Sequence, residues 1–328
     1  QYESREYLQY SDNVHTEYAI FKALEKSSSR EEEHQEYIRS MEERAESMLS
    51  VSLFAKELSG FEQENIRKTP LDFAVVADVH TTIDISEGVV GFVKTPVTDL
   101  LLTVFLFAVC AFLFLSEENR SLSLITRPTV NGRLPYAGAK LTVASVLSVF
   151  LTLCFQFANL IIMEWKYGLG DLSRPIQSVE GFMRCNLPIS VGNTILLYIG
   201  IKLLMMLFLT AFLSFLCVVF KNGVLTCAVT AGIAGLSFVC QISISSLSYL
   251  NFLRYLNPVN AISVRNYLTE YANLNFFSIP VSVLYSVVIL YSILWITVSV
   301  LTLWGYCYSR KHRSITGVSK LLRFCKAP

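Results

Sequence analysis

Residues 97–140 read VTDLLLTVFLFAVCAFLFLSEENRSLSLITRPTVNGRLPYAGAK. The first part, to Leu115, is almost wholly Leu, Val, Phe, Ala and small residues, and it has about the 20-residue length that a helix needs to cross a bilayer core. The second part, from Ser116, is charged and broken by Pro128 and by Asn131-Gly132 before apolar residues resume after Lys140. A long apolar run, a short charged interruption and a second apolar run predict two membrane-spanning helices joined by a polar connection.

Working outward, four more apolar runs of comparable length follow, at 141–163, 194–220, 224–247 and 279–306. Each is too long for an ordinary buried strand. Backbone inside lipid must satisfy its own hydrogen bonds, so helices are the expected form. The expected fold class is an all-α polytopic membrane protein with five spans, in which 96–309 is the transmembrane domain.

Composition agrees, with 53% hydrophobic and 16% charged residues in 328. The net charge of +1 hides two opposite halves: 20 of the 26 Asp and Glu precede Leu100, and 17 of the 27 Lys and Arg follow it. Orientation follows from the Lys and Arg positions. Placing 116–140, the Lys221-Asn222 turn and a basic tail at 310–328 in the cytoplasm puts 11 basic residues inside. The loops 164–193 and 248–278 then carry 5 outside, as the positive-inside rule prefers. An acidic helical region at 1–95 is therefore expected outside. The chain begins at Gln1 without an initiator Met; if the protein starts in the cytoplasm, one further span precedes Gln1, making six.

Within 1–95, the pattern from Ser29 to about Phe61 predicts an amphipathic helix, with Tyr37, Ile38, Met41, Ala45, Met48 and Leu49 on one face. Its polar face is rich in Glu, which disfavours anionic lipid and favours packing on a helical partner. Thr69-Pro70 opens a stretch of short apolar pieces and breakers. GVVGFVKT at 88–95 superficially resembles a phosphate-binding loop, but only two residues separate Gly91 from Lys94, and nucleotide binding is not expected there. Five of the eight Cys (110, 154, 217, 227 and 240) fall in apolar runs, where thiols act as packing groups. The four His, at 15, 34, 80 and 312, share no ligand spacing, so no metal is expected.

The interruption at 116–140 carries the most specific signal. Glu117-Glu118 is followed by Arg120, by apolar Leu122, Leu124 and Ile125, by a break at Arg127-Pro128 and by a turn at Asn131-Gly132 before Arg133. Pro135 suits the first turn of the next helix, since it donates no amide and its backbone angle is already helical. This predicts a short cytoplasmic helix near 116–127, whose Leu122 and Ile125 seek a groove on another protein.

These residues, with Lys140 entering the next span, resemble the first cytoplasmic loop of type-2 ABC exporter permeases. The likeness extends to the topology across 96–313 and to Asn257-Pro258 in the loop before the last span. Ser121 departs from the family, where Gly often follows the basic residue. The resemblance implies a permease that dimerises with an identical or related second subunit and sits on two copies of an ABC ATPase. Glu117, Glu118, Arg120, Leu122, Ile125 and Arg133 would couple to that ATPase. ATP and Mg would bind the ATPase, and no cofactor is implied for this chain, which is not itself an enzyme. It also implies a multi-pass place in a cell membrane, of the bacterial plasma-membrane kind, with membrane lipid and no nucleic acid as partner. The cargo would be a peptide, lipid or hydrophobic compound. Short helices beside an exit path are implied for 248–278, with Tyr255, Asn257 and Pro258 as exit-loop candidates.

Two further features concern the spans. Lys202 is the one ionisable residue read as well inside a span, ~13 Å from its start at helical rise, where it would either snorkel or pair structurally, or else line a transport pathway. The small residues Ala228/Gly232 and Ala231/Gly235 allow close helix approach, within the subunit or at a dimer seam. A different class of function, a receptor or immunity protein binding an external ligand through its acidic head, uses the same topology without transport. An intramembrane enzyme would need a polar catalytic cluster at membrane depth, which the spans do not display in sequence.

Overall fold

The computed structural model describes residues 32–50, 60–82, 84–119, 134–243 and 251–324. Helix α1 covers 32–50, α2 Gly60–Ala74, α3 Glu87–Val93, α4 Pro96–Asn119, α5 Leu134–Tyr167, α6 Val191–Phe220 and α7 Gly223–Ser243. Three short helices follow, α8 Asn251–Tyr255, α9 Pro258–Ser263 and α10 Asn266–Thr269. A two-stranded antiparallel hairpin, β1 Asn273–Phe276 and β2 Ile279–Ser282, leads into the last helix, α11 Val283–Phe324. Among the described residues, five helical stretches are long and apolar enough to cross a membrane: Glu87–Ser116, Leu134–Tyr167, Val191–Phe220, Gly223–Ser243 and Val283–Cys307. The chain is a helical, multi-pass membrane protein.

The spans differ from their sequence-derived bounds at the ends, for local reasons. α5 starts at Leu134 with Pro135 in its first turn, so the charged Lys140 lies inside the helix. α6 stops at Phe220 because Lys221 adopts a left-handed backbone, φ 54°. The Asn222 side chain then accepts from the amides of Val224 (3.0 Å) and Leu225 (3.4 Å) and so caps α7. A two-residue turn thus suffices between two spans. The last span begins at Val283 rather than Ile279, because 279–282 pair as β2 with Asn273–Phe276. The sequence reading contained no strand. Beyond Tyr306, α11 runs on through the basic residues to Phe324, so the tail expected at 310–328 is helical over 310–324.

The described residues fall into two units, one formed from parts of Gln1–Phe92, Met163–Leu196 and Leu268–Ser282 and the other from Val93–Ile162, Leu197–Tyr267 and Val283–Pro328. In the first unit, α1 packs on α2 through the edge-to-face pair Tyr37–Phe73, with ring centroids 5.6 Å apart, and Phe73 meets Tyr271 in a tilted ring contact at 4.9 Å. The helix expected from Ser29 to Phe61 is described over 32–50. Residues 51–59 lie outside the described part. α2 continues through Thr69-Pro70, where a break was expected. Pro70 supplies no amide to the helix, and around it the Thr69 hydroxyl donates to the Asn65 carbonyl (2.8 Å) while Lys68 pairs with Asp72 (3.4 Å). The hairpin is tied to α2: Lys68 donates to the Pro280 carbonyl, Tyr271 to Asp72 and the Asn273 amide to Asn65.

The loop after α5 belongs to the same unit. Asp84 accepts from the amides of Asp171 (2.5 Å) and Ile85 (2.7 Å) and faces Arg174 at 3.7 Å. The Asp171 amide bond above all, with the Ile85 amide and the Arg174 charge, holds the Asp84 carboxyl below the usual carboxylate range. Arg174 itself is buried and donates to the Ile85 carbonyl. Burial pushes the Cys185 thiol up to about 11, so it packs as a neutral group.

GVVGFV is not a loop but helix α3. A Cβ on Gly88 would overlap the carbonyl oxygen of Gly168, and one on Gly91 would lie 2.8 Å from the Met163 sulfur. These glycines exist for close packing rather than to cradle phosphate.

In the second unit, Leu102, Leu106, Cys110 and Phe114 of α4 form a core with Leu141 of α5, with Met206, Leu209 and Leu213 of α6 and with Tyr306 of α11.

Candidate functional site

An apolar core inside a membrane makes its polar residues informative, because each needs a partner that lipid cannot supply. α5 buries Lys140, Ser148, Thr152, Gln156 and Asn159 on one stripe, at intervals of about one or two helical turns. Lys140 is surrounded by the rings of Tyr136, Phe114 and Tyr306 at 4.8, 5.8 and 6.0 Å, a cation–π setting that suits an ammonium held out of water. Further along, the Ser148 hydroxyl donates to the Met206 carbonyl (3.3 Å) and accepts from the Thr210 hydroxyl (2.9 Å), joining α5 to α6. At the far end, the Asn159 amide donates to the Thr98 hydroxyl (3.1 Å), joining α5 to α4.

Between those two levels lies an ion pair. Lys202 of α6 places its ammonium 2.7 Å from the Asp99 carboxylate of α4, and neither side chain is more than 7% exposed. Each group is where helix physics favours it. Asp99 stands in the first turn of α4, whose free amides and positive dipole end stabilise a carboxylate. The Lys202 ammonium also donates to the Ile262 carbonyl in the last turn of α9, where helix carbonyls lack intrahelical donors. Tyr198, one turn before Lys202 on α6, presents its ring 5.9 Å from the ammonium.

Lys202 therefore does not snorkel; it is fully buried and paired. Its partner escaped the sequence reading. Asp99 is the third residue of the span expected at 97–115, and a charge so near a span end reads as interfacial. Its position in a helix first turn, with a lysine deep in another span in need of a counter-charge, was the available signal.

Gln156 lies on the same buried stripe of α5, between the Ser148 and Asn159 contacts. It is 1% exposed, and its Oε1 accepts no hydrogen bond among the described residues. A buried acceptor left open costs roughly 1–3 kcal/mol. Gln156→Leu, similar in volume and without that atom, should raise the detergent-solubilised protein's stability by about 1 kcal/mol. Thermal unfolding checks this, and a lowered melting temperature would mean that Oε1 has a partner.

The exit-loop candidates Tyr255, Asn257 and Pro258 come together as a joint. Asn257 is the N-cap of α9, accepting from the Asn260 amide at 2.8 Å, and Pro258 follows at the helix start. Its side-chain amide donates to the Arg254 carbonyl (2.8 Å), and the buried Tyr255 offers its carbonyl to the Tyr267 hydroxyl (2.7 Å). Asn260 accepts from Gln241 of α7 (2.8 Å) and from Asn266 (3.0 Å). From α11, the Tyr291 hydroxyl reaches the carbonyls of Leu256 and Asn257. Val264, buried and β-branched, closes α9 with φ 56°, a strained backbone for such a residue.

The remaining candidates divide. Glu117 and Glu118 continue α4 to its last turn instead of opening a separate helix. Arg120, Leu122, Ile125 and Arg133, with the rest of the coupling helix expected near 116–127, lie outside the described residues. On α7, Ala228, Ala231, Gly232 and Gly235 are exposed, and nothing stands within 4 Å of a Cβ built on either glycine. Among the described residues, the two glycines of this face are open to close approach. The residues that α7 buries are Thr226 and Ser237.

Neither family models, nor curated proteins, nor solved structures yield a match to this chain.

Proposed function

We propose that this chain is the permease subunit of a type-2 ABC exporter, moving a peptide, lipid or hydrophobic compound by alternating access powered by a separate ATPase. The observation that carries the reading is the break between the last two spans. Three short helices, α8–α10, lie there, the middle one opened by an Asn-Pro cap, and the five candidate spans among the described residues follow the order that the family resemblance implies.

Three further features support it. The parts of 1–92, 163–196 and 268–282 that form one unit largely coincide with segments that the basic-residue distribution assigns to the outside, although 248–267 falls in the other unit. α5 has 34 residues, about 51 Å of helix against a hydrocarbon core of about 30 Å, so it overhangs the bilayer. With α4 running to Asn119 and α5 starting at Leu134, the two helices frame the segment 120–133 that would dock on the ATPase. The open small-residue face of α7 suits a second permease subunit approaching closely. On this reading a span precedes Gln1, the first unit is extracytoplasmic and the chain lies in a cell membrane.

The test is copurification. The intact protein in mild detergent should bring down an ATPase with Walker and signature motifs, in two copies per permease dimer. Leu122→Asp with Ile125→Asp should release it while leaving the permease folded and dimeric. A stable, folded protein that never associates with an ATPase would overturn the proposal and favour the receptor reading.

A further inference from the structure

α9 is held differently at its two ends. At its N-terminal end the hydrogen bonds described are neutral: the Asn257 cap, the Asn257 and Asn260 amides on the Arg254 carbonyl, the Asn260 contacts with Gln241 and Asn266, and the Tyr291 hydroxyl on the carbonyls of Leu256 and Asn257. At its C-terminal end the Ile262 carbonyl accepts from the Lys202 ammonium, which is itself held by Asp99. Immediately beyond lies Val264, buried and strained at φ 56°.

This asymmetry matters because the tie at Ile262 is conditional. An ammonium in a low-dielectric interior stays charged and in place only while its counter-ion is close. Asp99 and Lys202 lie on different spans, α4 and α6, so a small relative shift of those helices parts the pair. Once it parts, the lysine stem can carry its charge toward water, and the Ile262 carbonyl loses its donor. The neutral contacts around Asn257 and Asn260 do not involve α4 or the charge, so they persist. Strain at Val264 favours release, since a backbone held in a sparsely populated region relaxes when the surrounding contacts loosen.

We propose that Asp99 and Lys202 form a charged latch on α9, which holds the C-terminal end of that helix closed and lets it swing about the Asn257–Asn260 joint when the pair parts. The latch converts relative movement of α4 and α6 into opening of the α8–α10 segment. It requires an ammonium at position 202 specifically, not merely opposite charges at 99 and 202. It does not rest on the exporter reading, because it needs neither ATP nor a partner subunit.

Hydrogen exchange of the full-length protein in lipid nanodiscs, followed on peptides spanning 258–266, tests it. In Lys202→Met, exchange at the C-terminal end of α9 should rise at least tenfold over the unmodified protein. The reversed pair Asp99→Lys with Lys202→Asp should recover melting temperature relative to Lys202→Met, because both charges again have partners. Its α9 exchange should nevertheless remain fast, because a carboxylate at 202 cannot donate to the Ile262 carbonyl. Unchanged α9 exchange in Lys202→Met, or a reversed pair that restores slow exchange, would overturn the latch and leave a purely structural ion pair. Should Lys202→Met fail to fold, the reversed pair carries the test alone, since slow exchange there refutes the latch and fast exchange in a folded protein supports it.

Discussion

Replacing Lys202 with Met, with Asp99 left in place, is expected to destabilise the protein by about 3–5 kcal/mol, among the largest effects that a single substitution in the spans can have. The reason is what remains rather than what is removed. Asp99 keeps its first-turn position on α4, but its carboxylate is buried and faces no cation. It must then be protonated or drag water into the apolar layer. The Ile262 carbonyl loses its donor as well. Removing both charges should cost much less, because a buried pair exchanged for apolar side chains of similar volume is often neutral in stability. Asp99→Leu with Lys202→Met is therefore expected to recover most of the loss. Thermal unfolding of the purified variants in detergent checks both. If the single variant melted with the unmodified protein, Asp99 would have another counter-charge and the pair would not be the organising contact of this layer.

Gly88→Ala is expected to cost about 2–3 kcal/mol, although Ala is the better helix former by about 1 kcal/mol in a helix interior. The new Cβ would meet the backbone carbonyl of Gly168, which cannot rotate away. Gly168 is itself committed, with φ 73° and its amide donating to the Glu164 carbonyl at 2.9 Å. Gly91→Ala, one turn later on the same helix, is the control. There the Cβ meets only the Met163 sulfur, the far end of a flexible chain, so propensity and crowding should nearly cancel. A phosphate-cradling loop would show no such contrast, because both glycines would serve backbone approach to a ligand. Equal loss of melting temperature in the two variants would contradict the packing account.

Much of the candidate site was hidden in the sequence for a definable reason. Lys202 stood out because a lone charge amid LLYIGIKLLMMLF has no local explanation. Asp99 did not, since an acidic residue three positions into a span reads as a helix N-terminal or interfacial group, which it also is. The polar stripe of α5 was dispersed in the same way. Ser148, Thr152, Gln156 and Asn159 are each tolerable alone in a span, and only their common face makes them one feature. The Asn257-Pro258 motif was visible as a break, and its cap geometry follows from the residue types. That the break builds three short helices is a matter of what surrounds it, with Gln241 of α7 and Tyr291 of α11 supplying partners from elsewhere in the chain and Tyr267 tying α10 back to α8.

What the sequence determined by itself is the membrane architecture: the number of apolar helices among the described residues, their approximate ends and the two-residue turn at Lys221-Asn222. Apolar length and local capping chemistry suffice for these, because a helix in lipid closes its hydrogen bonds within itself. What only the tertiary structure decided is which buried polar groups meet. The pairing of Asp99 with Lys202, its extension to the Ile262 carbonyl, the approach of Gly88 to Gly168 and the ties of the 273–282 hairpin to α2 all join residues far apart in the chain. Their partners are chosen by the register in which helices and strands pack, and hydropathy carries no record of that register.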